Sequence, residues 1–251
     1  MTMDTVSREK LKADVIALRG YWHRFHDGLL SAAPDYLSAY LQFQHAPAAT
    51  GRIESKVCEF IYIAADGAVS HLYATGAARH IEMAIEKGAT EGEVLEVIQL
   101  TTLSSHMTME AGMGALVRQL ALAGLVDQIT LSAAQEDRKA SFVALVGYWP
   151  EGGDALFRYA PDFMDAYLKY AEIPYRDGPL QRKVKEFVRI AICASPVCPE
   201  PKGLERHIGL ALQHGATPEE IADVLQLTAA IAIHTCTTTI PPLMDALARR
   251  R

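Results

Sequence analysis

His71–Thr90 reads HLYATGAARHIEMAIEKGAT, and Cys198–Thr217 reads CPEPKGLERHIGLALQHGAT. Arg-His-Ile, an alanine four residues after the histidine, and Gly-Ala-Thr stand in both. The openings differ: His71 and Tyr73 face Cys198 and Glu200. Outward from this pair the match continues at a constant offset of 127 residues. Gly20-Tyr21-Trp22 meets Gly147-Tyr148-Trp149, Ala33-Pro34-Asp35 meets Ala160-Pro161-Asp162, and Glu59-Phe60 meets Glu186-Phe187. Gln99-Leu100-Thr101 meets Gln226-Leu227-Thr228. One register held over so long a stretch implies a tandem duplication, with repeats over residues 8–124 and 135–251.

Each repeat reads as helical. In IESKVCEFIYIAAD, Ile53, Val57, Phe60, Ile61 and Ala64 fall on one helical stripe. Thr90 with Glu93 forms a capping-box pattern, and its counterpart has Pro218 at the first helical position. Gly88 and Gly215 mark helix ends just before these caps. No strand alternation is evident, so an all-α fold with five or six helices per repeat is expected. The connecting stretch 122–139 is not rich in Pro or Ser, which implies repeats packed tightly together.

Half the residues are hydrophobic and 22% are charged, a composition that builds a packed core rather than a disordered chain. The net charge of −6 argues against a nucleic-acid binder, which needs a basic face; the only basic run is the Arg249-Arg250-Arg251 tail. No stretch is read as approaching the roughly 18 apolar residues that cross a bilayer. The polar start, MTMDTVSREKLK, has no signal-peptide core, so a cytoplasmic location and no membrane partner are expected. The four cysteines form no Cys-x-x-Cys pair and no zinc-ligand spacing.

A Lys-x-x-Glu-Phe helix, a His-bearing helix, Gly-Ala-Thr-x-x-Glu and a Leu-Gln-Leu-Thr helix resemble the carboxymuconolactone decarboxylase family, which includes the AhpD-type alkylhydroperoxidases. The resemblance covers nearly all of both repeats. It implies AhpD-like helical bundles that assemble into trimers or hexamers, so that three tandem chains would form a homo-oligomer of six units. It also implies aromatic catabolism and a substrate that is a carboxylated lactone. AhpD-type members carry Cys-x-x-Cys-x-x-x-His after a Glu. On this chain the His is His80 and His207 and the Glu is Glu59 and Glu186. The cysteine positions fall on Tyr73, Gly76, Glu200 and Gly203, so dithiol peroxidase chemistry is rejected.

His80 and His207 are the first candidates for proton transfer, since imidazole titrates near neutrality. A buried histidine satisfied by a neighbouring helix is the competing reading. Glu59 and Glu186 sit in apolar helices, where a carboxylate needs a partner. They are read as orienting the histidines and favouring their protonated form, or as ion-pairing with Lys56, Arg79 or Arg206. His71 and Tyr73 stand near the start of the His80 helix, where free N–H groups attract anions, and would hold a substrate carboxylate. His234 and Cys236, with His106 one position out of register in the other repeat, suggest a cleft wall on the last apolar helix. Pro241-Pro242 is read as ending that helix. His23 and His26 have i, i+3 spacing that can share an ion, but no third ligand follows by spacing, and no metal or cofactor is expected.

These features favour a cofactor-free lyase (a decarboxylase) or an isomerase. It would act by His/Glu acid–base chemistry on a small-molecule substrate, an organic acid or lactone. Two other readings stay open. One is a thiol-dependent redox enzyme using Cys236 or Cys198. The other is a non-catalytic helical assembly or ligand-binding module.

Overall fold

The computed structural model describes residues 4–125 and 129–250; Arg251 and part of the inter-repeat connection lie outside the described residues. Among the described residues there are fourteen α-helices and no strand. The first half holds α1 (Thr5–Arg19), α2 (Arg24–Ala32), α3 (Pro34–Ala49), α4 (Ser55–Gly67), α5 (Ala74–Glu86), α6 (Glu91–Thr102) and α7 (His106–Leu122). The second holds α8 (Ala133–Val146), α9 (Gly153–Tyr159), α10 (Pro161–Arg176), α11 (Arg182–Cys193), α12 (Pro201–Gln213), α13 (Pro218–Ala229) and α14 (His234–Ala248). The starts of α3 to α6 recur as the starts of α10 to α13 at an offset of 127. We propose that duplication of one unit produced this register.

Seven helices per half exceed the five or six expected from the pattern. Proline is the cause at one break: Ala33-Pro34 and Ala160-Pro161 each end one helix and open the next. A 3₁₀ turn is the cause at another, separating α6 from α7 and α13 from α14. The expected ends are otherwise where they should be. Gly20 caps α1 at φ 71°, and Thr90 and Thr217 form capping boxes with Glu93 and Glu220.

Two expectations about the last helices are corrected. Pro241 and Pro242 lie inside α14 rather than ending it. Each removes one backbone N–H donor, yet α14 packs on α2 closely enough to offset this. A Cβ at Gly28 would meet Ile240 Cγ2 at 2.3 Å, so only glycine lets the two helices approach so closely. With the 3₁₀ turn between them, α13 and α14 make a helical run of 31 residues from Pro218 to Ala248. It is long and apolar enough to cross a bilayer by length and composition alone. Val224 and Leu227 of α13 are nonetheless buried in the protein core, whereas α14 has no buried residue.

The centre of the molecule is α4 packed against α11. Residues 57–66 of α4 and 185–193 of α11 are all buried. Helices so enclosed should be apolar all round. Glu59, Asp66, Lys185, Glu186 and Arg189 break that rule, and each demands a partner. Lys185 meets it with a buried salt bridge to Glu96 and a 2.6 Å bond to the Pro174 carbonyl. The halves also exchange contacts: α2 and α3 pack on α14 and α13, while α9 and α10 pack on α7 and α6. Each half thus packs its outer helices against the other.

Candidate functional site

Glu59 on α4 and His80 on α5 face each other because α4 and α5 pack side by side. His80 Nδ1 lies 2.5 Å from Glu59 Oε2, and the other carboxylate oxygen takes a hydrogen bond from Lys87. Burial would raise the Glu59 pKa, but the His80 and Lys87 contacts outweigh it and hold Glu59 below the usual carboxylate range. Burial lowers His80 despite Glu59. The resting pair is therefore a carboxylate and a neutral imidazole. Glu59 does favour the protonated ring, as expected, but taking the ring out of water outweighs that one adjacent charge. The His80 ring also stacks on Tyr62, with centroids 4.5 Å apart.

His80 lines a cavity of about 270 Å³. Its walls carry Arg19, Arg79 and Arg24, the rings of Tyr21 and Tyr62, and His23 and His234, but no carboxylate. Arg24 is paired with Asp245, and Arg79 with Glu82 at 3.0 Å. Arg19 has no carboxylate partner among the described residues; it donates to the Tyr21 hydroxyl at 3.0 Å, and its Nε is buried and unpaired. A guanidinium is always charged. The cavity is an anion-attracting pocket beside a neutral imidazole, and α14 of the other half closes it through His234, Thr237 and Pro241.

The equivalent place in the second half is filled. His207 Nδ1 lies 2.7 Å from Glu186 Oε2, as in the first half. At the position of Tyr62 stands Arg189, fully buried, whose Nε donates to His207 Nε2 at 3.3 Å. Its other nitrogens reach the Leu100 carbonyl at 3.1 Å and His106 Nδ1 at 3.1 Å. Because arginine only donates, His207 Nε2 must accept, so the His207 proton is on Nδ1 and points to Glu186. The same tautomer in His80 leaves its Nε2 lone pair for a ligand. Burial and the adjacent Arg189 push His207 well below the usual imidazole range, and burial pushes Glu186 up to about 7.

The remaining expected residues are placed as follows. Tyr73 caps α5 and donates to Thr237 Oγ1 at 2.9 Å, and its ring lines the cavity. His71 is not in the cavity wall; its Nε2 lies 2.9 Å from His234 Nδ1. Burial lowers His234 to about 4. His106 is buried under Arg189, with burial lowering it to about 3. Cys236 lies outside the cavity, packed in a small cluster with Leu37, Tyr40 and Ile240. Cys198 is exposed, and burial pushes the Cys58 and Cys193 thiols up to about 11. His26 Nδ1 accepts the His23 amide at 2.9 Å, which leaves Nε2 as its one free ring nitrogen. The sequence reading missed Arg19, Arg79 as a cavity residue, Tyr62, Arg189 and Asp66. Tyr62 and Asp66 had one available signal, since their counterparts, Arg189 and Cys193, differ in charge.

The model of the carboxymuconolactone decarboxylase family matches residues 161–235. A crystal structure from Burkholderia xenovorans, of a protein provisionally named a gamma-carboxymuconolactone decarboxylase subunit, superposes with a TM-score of 0.92. The two sequences are 33% identical, and the alignment covers 97% of this chain and 98% of that one. No curated protein matches the sequence.

Proposed function

Because the chain belongs to the carboxymuconolactone decarboxylase family, we propose that its first-half cavity is the active site of a decarboxylase acting on a small carboxylated lactone. The observation that carries this reading is the pairing of Arg19, a cation without a carboxylate partner, with a neutral His80 in one cavity free of acidic residues.

In this reading the substrate carboxylate enters beside Arg19, and the Tyr21 and Tyr62 rings flank the lactone. Arg19 and Arg79 make bound negative charge favourable. The anion in turn makes His80 more basic, and His80 takes a proton from solvent at Nε2 while Glu59 holds Nδ1–H. The bond to the departing carboxyl carbon breaks, carbon dioxide leaves, and its electron pair passes into the conjugated lactone as an enolate. The imidazolium then delivers its proton to carbon and returns to the neutral state. Glu186 and His207 keep the same geometry, but Arg189 occupies the substrate's place. Assembly of three chains belongs to this reading as well. Exposed Leu116 and Leu122 on α7, and Leu243 and Leu247 on α14, supply apolar surface for it.

The resting state favours a second reading. A neutral imidazole is a base, so proton abstraction next to a carbonyl, giving isomerisation of an unsaturated acid, uses the same residues. Both are tested by incubating the protein with carboxymuconolactone in deuterated water and following the products by NMR. Carbon dioxide release with one deuteron gained supports decarboxylation. Deuterium exchange without carbon dioxide supports isomerisation. Neither event, with no binding of ring-cleavage acids, would leave a non-catalytic module.

A further inference from the structure

The three groups beside the cavity form an arrangement that the acid–base reading does not use. Asp66, His71 and His234 each offer one ligand atom, and these atoms lie within 4.8 Å of one another. His71 Nε2 is 2.9 Å from His234 Nδ1, and His234 Nδ1 is 3.5 Å from Asp66 Oδ1. Around an ion with bonds of about 2.1 Å, ligand atoms stand about 3.0 Å apart in an octahedron and about 3.4 Å apart in a tetrahedron. The two separations of 2.9 and 3.5 Å bracket those values to within 0.1 Å, and the third is within 4.8 Å.

A second observation concerns Asp66 itself. Its side chain is fully buried, and neither carboxylate oxygen has a hydrogen-bond partner. A carboxylate in that state is costly, and native proteins seldom leave one so. The α5 backbone packs directly on this carboxylate: a Cβ at Gly76 would meet Asp66 Oδ2 at 2.1 Å. At the corresponding positions stand Cys193 and Cys198 of the second half and Met107 of the first, so the His-His-Asp set belongs to the open cavity alone.

We propose that Asp66, His71 and His234 bind a divalent first-row transition ion such as Zn²⁺. Two imidazoles and one carboxylate are borderline ligands suited to this class, and three protein ligands leave at least one position for water or a bound anion. His234 also lines the His80 cavity, so the ion sits in its wall. It joins the α4–α5 loop, which carries His71, to α14. The proposal does not depend on which reaction His80 performs.

The test is Zn²⁺ titration of chelator-treated full-length protein by calorimetry, with thermal unfolding run alongside. Wild type should take up one ion per chain, and its Tm should rise with Zn²⁺. His71→Ala and His234→Ala should each weaken binding by about 100-fold or more and abolish the Tm rise. Asp66→Asn should do the same. His71 is on a half-exposed loop, so His71→Ala decides the matter if Asp66→Asn fails to fold. His214→Ala, outside the cluster, should bind as wild type. Wild type with no site tighter than about 100 µM would overturn the proposal, as would His71→Ala and His234→Ala binding like wild type.

Discussion

Replacing Arg19 with Met separates anion binding from stability. The side chain is contributed by α1, donates to the Tyr21 hydroxyl at 3.0 Å, and lies 5.3 Å and 6.0 Å from the Tyr21 and Tyr62 ring centroids. It neutralises no carboxylate, so its loss leaves no buried charge unpaired. One hydrogen bond and two cation–π contacts are lost, worth about 1–2 kcal/mol together. The removed desolvation penalty and the apolar Met stem offset part of that. The net change in unfolding free energy should stay within about 1 kcal/mol. Binding of a carboxylate should suffer more. A charge-assisted bond contributes about 1.5–3 kcal/mol, which is roughly a 10- to 150-fold rise in Kd. The assay is calorimetric titration of a lactone carboxylate and of its methyl ester, with chemical denaturation of the same samples. The acid should lose affinity in Arg19→Met while the ester does not. Equal losses for acid and ester, or an unchanged acid, would refute the assignment of Arg19 as the carboxylate anchor.

Glu59→Gln removes the charge that steadies the His80 imidazolium, and kcat should fall about 10- to 100-fold; His80→Ala should cost about 10²- to 10⁴-fold, both read by steady-state kinetics. The pH dependence follows from the lowered His80. The folded state holds the ring neutral, whereas the unfolded chain protonates it near the ordinary value of 6.5. The unfolded state therefore binds more protons as pH falls, so stability should decline below pH 6.5 and be regained above it, as denaturation at stepped pH would show. In the core, Glu96→Ala strips Lys185 of the carboxylate it pairs with and frees the Leu180 amide, which donates to Glu96 at 2.8 Å. Denaturation should register a loss of about 3–5 kcal/mol. His207→Ala should destabilise by about 2–3 kcal/mol, since Glu186 and Arg189 lose their shared partner, yet leave turnover near wild type.

The fold was legible in the sequence because its signals are local or repeated. Thr90 with Glu93, Pro218 and Gly20 mark helix ends by short-range chemistry. The 127-residue offset links distant segments without any knowledge of contacts. The pairing of Glu59 with His80 was legible for the same reason, since both sit at matched positions in each half. Arg19 was not: α1 reads as a surface helix with Arg19 in its last turn, and only packing on α3 and the nearby Tyr62 reveals the cavity. Arg189 was also hidden, because nothing local says that an arginine on α11 turns inward to take the ligand's place. Pro241 and Pro242 misled for the opposite reason. Their local helix-breaking tendency is overridden by contact between α14 and α2.

The central claim is that the two halves share a His/Glu pair but only the first presents it to a ligand. Nitrogen-15 NMR of histidine-labelled protein, titrated with a lactone carboxylate, tests this directly. His80 Nε2 should shift on binding, while His207 Nε2, held by Arg189, should stay fixed. A shift at His207 with His80 silent would contradict the account and place the site in the second half.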